Sequence, residues 1–115
     1  MVTVSLKNKV SVHKKEFAGD YQLSETVNGQ PSWKNGENAI WYTPVGNNWL
    51  IGYWNKLGKN EGEFFVPNYY GDLADNRNDW KYSNGSTWII PSDSDDVIVS
   101  GGKESKCVHK KCLLG

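Results

Sequence analysis

The stretch Val27-Asn-Gly-Gln-Pro-Ser-Trp-Lys-Asn-Gly-Glu-Asn-Ala-Ile-Trp-Tyr42, continued through Gly46-Asn47-Asn48 to Trp49-Leu-Ile-Gly-Tyr53, decides the fold. Asn-Gly supplies the positive φ values of the tight turns that join antiparallel strands, and here it recurs at Asn28-Gly29 and Asn35-Gly36. Pro31 to Lys34 and Ala39 to Thr43 lie between these turns and Gly46, and Trp49 to Tyr53 follows it, each run carrying aromatic or β-branched residues. Each is the length of a short strand.

Working outward, the same punctuation continues. Asn84-Gly85 separates Trp80–Ser83 from Thr87–Ile90, and Val97–Val99 follows. Toward the N-terminus, Val2, Val4 and Leu6 alternate with polar residues, Val10 and Val12 flank Ser11, and Phe17–Glu25 carries Tyr21 and Leu23 on one face. The first dozen residues therefore read as one or two half-buried strands. No window repeats apolar residues at helical spacing. The expectation is an all-β fold, a small antiparallel meander of about eight strands closing into a barrel or a two-sheet sandwich.

Trp33, Trp41 and Trp49 are each eight residues apart, and Trp80 and Trp88 repeat the step. An even step across a hairpin can bring successive rings to one face, so a tryptophan ladder inside the sheet is expected. Six Trp, six Tyr and three Phe in 115 residues allow a small core built mainly from rings. A chain of this length fits one domain, read here as residues 1–100, followed by a polar and basic tail over 101–115.

Thirteen basic and thirteen acidic side chains cancel, which argues against a general nucleic-acid binder. The basic residues gather at Lys7, Lys9, His13, Lys14 and Lys15 and again at Lys103, Lys106, Lys110 and Lys111, away from the aromatic centre. Should the two ends meet, they would form a basic patch. No apolar run is long enough for a membrane helix, so no membrane insertion is expected. The N-terminus lacks the apolar block of a secretory signal, which fits a cytosolic chain, a processed one or a piece of a larger one. Asn84-Gly-Ser86 is a glycosylation sequon, a weak pointer to an extracellular setting, and its hairpin role explains it equally well.

The whole pattern of Gly19-Asp-Tyr21, Asn28-Gly-Gln-Pro31, Trp41-Tyr42, Trp49-Leu-Ile-Gly52 and Trp80-Lys-Tyr-Ser-Asn-Gly-Ser-Thr-Trp88 resembles a known type of module. It is an aromatic-rich β-module of about eighty residues, met as repeats in large modular proteins of invertebrates and other eukaryotes. The resemblance covers residues 17–99 and rests on framework positions. It implies a binding or spacing role and carries no catalytic set.

Chemistry-bearing residues are sparse. Both histidines, His13 and His109, lie in lysine-rich terminal segments, where a nucleophile–base–orienter set is poorly supported. The loop carboxylates Glu61, Glu63, Asp72, Asp75 and Asp79 are glycosidase candidates in type, yet loop carboxylates mostly serve solvation, and no enzyme activity is expected. Cys107 and Cys112 with His109 fall short of a four-ligand zinc set. Those cysteines would form a small loop in oxidising surroundings and stay reduced in the cytosol. Asp93, Asp95 and Asp96 lack the spacing of a calcium loop, so neither metal nor cofactor is expected.

What remains is recognition. The irregular stretch 55–79 is long for a small sheet, and long loops on rigid scaffolds often carry function. Trp54 and Asn55 open it, and Tyr69, Tyr70 and Asp72 stand within it. These five are the expected ligand-binding residues of a lectin-like, extracellular module that takes a glycan or a protein surface as its partner. The competing reading is a structural repeat or spacer unit with no small ligand.

Overall fold

Alternation of apolar and polar residues is realised as nine strands in one antiparallel meander. The structure is a computed structural model that describes residues 1–68, 71–75 and 79–103. The strands are β1 (Val2–Leu6), β2 (Gly19–Val27), β3 (Gln30–Asn35), β4 (Asn38–Thr43), β5 (Asn48–Tyr53), β6 (Phe64–Pro67), β7 (Lys81–Ser83), β8 (Trp88–Ile89) and β9 (Val97–Gly101). Their spatial order is β8-β7-β6-β5-β4-β3-β2-β1-β9, so each neighbours its sequence partner except the last, which pairs with β1. The sheet curls into a half-barrel. Of the two expected architectures, the barrel is the nearer.

The turns follow the expected chemistry in part. Asn28 and Gly29 both have positive φ, 53° and 82°, as a two-residue hairpin turn requires; Gly46 and Asn47 have positive φ, 80° and 55°, within the four-residue connection from Thr43 to Asn48, and at Asn35-Gly36 and Asn84-Gly85 only the glycine does. The ladder sets the faces. Trp33 pairs with Ile40, Ile40 with Ile51, and Ile51 with Phe64, which places these four on one face. Together with Val2, Val4, Tyr21, Trp49 and Val97 they form the inner core. Trp33 and Trp49 lie 6.1 Å apart between ring centroids, and Tyr42 packs on Trp49 at 5.5 Å.

Trp41 departs from the expected ladder. It pairs with Leu50, one residue out of step with the Trp33 row, and points to the outer face with Ala39 and Leu50. The connection between β3 and β4 shifts the register by one, and a shift of one reverses the face. The outer cluster is covered by the segment after β5, whose 3-10 turn Trp54–Lys56 carries Trp54 and is followed by Leu57. The Trp41 indole donates to the carbonyl of Lys59 at 2.9 Å and pins this cover down. Leu23 keeps the expected face, since it pairs with Trp33 on the side of Tyr21, but it is half exposed while Tyr21 is buried, and a bulge in β2 follows it.

The second expected N-terminal strand is a short helix, α1 (Asn8–His13). Asn8 takes a positive φ of 58°, which ends the extended run after Leu6. Val10 then enters the inner core while Val12 is exposed, an outcome that period two alone does not anticipate. A 3-10 turn over Lys15–Phe17 delivers Phe17 to the core against Phe64, centroids 5.6 Å apart. Tyr21 closes the corner by donating its hydroxyl to the Phe17 carbonyl at 2.7 Å.

No helix among the described residues is long and apolar enough to cross a membrane. Cys107, His109 and Cys112 lie outside the described residues.

Candidate functional site

A half-barrel leaves an open seam, and α1 lies across it. At one end, the Asn8 amide donates to Asp96 at 2.6 Å and the Lys7 N–H donates to the Asp96 carbonyl at 2.9 Å. At the other, the ammonium of Lys14 pairs with Glu63 at 2.7 Å, just before β6. The helix is thus fastened to the turn before β9 and to the start of β6.

Between α1 and the β7–β8 hairpin runs a cleft of about 460 Å³, lined by Lys9, His13 and Lys14 on the helix side and by Tyr82, Asn84 and Ile89 on the hairpin side. Its volume lies in the range of about 300–1,000 Å³ common to small-molecule sites. A bay of about 200 Å³ shares Lys9 and Tyr82 with it and extends to Asn8, Ser92, Asp93 and Asp96. The two make one trench with Tyr82 at its middle.

Local geometry explains how these side chains are presented. Lys9 and His13 are four residues apart on α1 and so share a helical face. Among the described residues neither has an ion pair or hydrogen bond, whereas the Lys14 charge is met by Glu63. In the hairpin turn, the Asn84 side-chain oxygen accepts from the N–H groups of Ser86 and Thr87 at 2.9 and 2.8 Å. That fixes the amide and leaves its NH₂ donors without a partner among the described residues. Asp93 uses one oxygen to accept from the Asp95 N–H at 2.9 Å, and Asp96 uses one for Asn8. Each carboxylate keeps acceptor capacity.

The expected site residues lie elsewhere and apart. Trp54 is half-buried over the outer cluster, with the Lys34 ammonium 4.2 Å from its ring centroid, and Asn55 beside it is exposed. Asp72 is exposed next to Leu73, which belongs to the inner core on the opposite face. Tyr69 and Tyr70 lie outside the described residues. Trp54 and Asn55 therefore share one surface, and Asp72 does not join them.

The trench residues were announced only by the clustering of Lys9, His13 and Lys14 and by the turn at Asn84. Their meeting comes from the position of α1. The remaining acidic loop, Asp93–Asp96, is a 3-10 turn with its own cap, and no group of three or more His, Cys, Asp or Glu side chains able to hold a metal occurs among the described residues.

The outer surface carries a second aromatic feature. Phe65 and Trp88 meet edge to face at 4.6 Å, with the Lys81 ammonium 5.2 Å from the Phe65 ring. Trp88 is 41% exposed on the edge strand β8. Unlike the trench, this pair stands on an open face. Set against family models, curated proteins and solved structures, the chain matches none of them.

Proposed function

We propose that this chain is a non-catalytic recognition module that binds a saccharide in the seam trench. The observation that carries the reading is the composition of one cleft. An aromatic side chain, Tyr82, stands beside the unpartnered amide donors of Asn84, the apolar wall of Ile89 and the donors of Lys9 and His13. Sugars present apolar C–H faces and a rim of hydroxyls, and a site for them combines apolar lining with a few placed polar groups. The half-used carboxylates of Asp93 and Asp96 in the adjoining bay supply acceptors for hydroxyl donors. The resemblance over residues 17–99 to repeated β-modules belongs to the same proposal and accords with a binding role.

The experiment is an amide NMR titration with a panel of oligosaccharides. Shifts concentrated in residues 8–14 and 81–93 are the expected result. Shifts centred on Trp54–Asn55 or on Trp88 would move the site to the outer surface, and an unperturbed spectrum across the panel would favour the spacer reading.

A further inference from the structure

The trench is graded in charge along its length, and we infer from this that its ligand is an acidic oligosaccharide, held with its anionic group at the end lined by His13 and Asn84. The inference rests on the saccharide reading and names the ligand class. Of the three helix-side residues, Lys14 is neutralised by Glu63, so it adds little net field. Lys9 is a cation with no ion pair among the described residues, although it also borders the bay that holds Asp93 and Asp96, and His13 presents its imidazole on the same helical face. Opposite them stand the free NH₂ donors of Asn84. Three donor groups therefore converge on this end of the cleft with no carboxylate lining it, an arrangement that suits a carboxylate or sulfate group. The acidic side chains of the trench, Asp93 and Asp96, line only the adjoining bay, which shares Lys9 and Tyr82 with the cleft, whereas His13 and Asn84 line only the cleft. Hydroxyls can donate to them there, whereas an anion would be repelled.

The two ends assign a direction to the ligand. A sugar ring at the centre lies against Tyr82, its acidic substituent reaches Lys9 and His13, and a neutral neighbouring ring meets Asp93. A nucleic-acid strand fits less well, because its phosphates repeat at every nucleotide and would bring charge against the acidic bay.

The test compares four probes by titration calorimetry with the whole chain: tri-galacturonate, a heparin tetrasaccharide, neutral maltotriose and a single-stranded oligonucleotide. The acidic sugars are expected to bind at least about tenfold more tightly than maltotriose, the effect of one charge-assisted hydrogen bond. Their affinity should fall as salt is raised. Uronate and sulfate sources are separated by which of the two acidic probes binds better. The variant carrying Lys9→Gln and His13→Gln should lose this margin and keep its melting temperature, since both side chains are exposed.

Equal binding of acidic and neutral sugars would overturn the inference and leave the saccharide reading standing. Retention of the acidic preference in the double variant would overturn it too, by placing the anion elsewhere. Tighter binding of the oligonucleotide, lost in the double variant, would replace the ligand class. Binding of none of the four would overturn the inference and the saccharide reading together.

Discussion

Asn8 donates its side-chain amide to the carboxylate of Asp96 at 2.6 Å, joining two residues 88 positions apart in the chain. This bond fastens a helix that has little means of standing alone: α1 has six residues and no side-chain cap. Asp96 is nearly fully buried, so the bond is shielded from water, and its backbone carbonyl also receives the Lys7 N–H. The same pair forms one wall of the acidic bay.

Replacing Asp96 by Ala removes the acceptor and leaves the Asn8 amide without its partner. A loss of about 1–3 kcal/mol is expected. For a domain of this size that corresponds to a melting temperature lower by roughly 5–20 °C. Amide exchange should quicken first in α1, because its N-terminal end keeps only the Lys7 N–H bond to the backbone carbonyl of residue 96. A variant with unchanged melting temperature and unchanged protection at Val10 would show that the Lys14–Glu63 pair and core packing hold α1 without this bond.

A second prediction concerns pH. The Tyr21 hydroxyl is buried and donates to the Phe17 carbonyl, and its pKa is raised well above the ordinary value of about 10, first by burial and then by the negative charge of Glu16. The fold thus favours the protonated phenol. Its contribution is complete below about pH 10, the unfolded value, and is lost as pH rises beyond it toward the folded value. Stability should fall steeply above that point. Tyr21→Phe should lower stability near neutrality by about 1 kcal/mol and flatten the alkaline fall. Followed by phenolate absorbance, Tyr21 should ionise together with unfolding; early ionisation in the folded chain would refute the assignment.

Much of the sheet is legible in the sequence, and the reasons can be named. Asn28-Gly29 and Gly46-Asn47 mark turns because few other residues accept their positive φ values. Strand positions follow from the spacing of those turns. Three features stay hidden. The face of Trp41 depends on a one-residue register choice at the β3–β4 connection, which residue spacing alone does not reveal. Helix α1 is masked because Val10 and Val12 fit period two, and only the backbone at Asn8 decides against a strand. The trench is assembled from the two ends of the chain, so its basic residues are visible as a cluster while their partners Tyr82 and Asn84 are not.

Gly52, the last residue of Trp49-Leu-Ile-Gly52, offers a third prediction. A Cβ built there would lie 3.0 Å from the Gly62 Cα and 3.1 Å from the Trp41 ring. The small residue lets the outer segment lie directly on β5, where the Glu63 N–H donates to the Ile51 carbonyl at 2.8 Å. Backbone at Gly62 cannot step aside as a flexible side chain would. Gly52→Ala should therefore cost about 1–3 kcal/mol through overpacking, although alanine is the smallest possible addition. Thermal denaturation reads the effect; a neutral result would mean that the outer segment shifts freely.

Trp54 separates packing from recognition. Sequence reasoning points to it as a ligand residue, yet its ring lies against the Ala39, Trp41 and Leu50 cluster, with the Lys34 ammonium on its face. Full truncation of a buried Phe or Trp to Ala costs about 3–5 kcal/mol. Half-buried as it is, Trp54→Ala should cost about 2 kcal/mol, most of it from uncovering the outer cluster. The trench lies on the other side of the sheet, against α1, and shares no lining residue with this cluster. Saccharide affinity at a temperature where the variant remains folded should therefore equal that of the parent. The two measurements answer separate questions. A stability loss with unchanged binding assigns Trp54 to packing. Binding lost with the melting temperature unmoved would return the site to Trp54 and Asn55 and remove the trench from consideration.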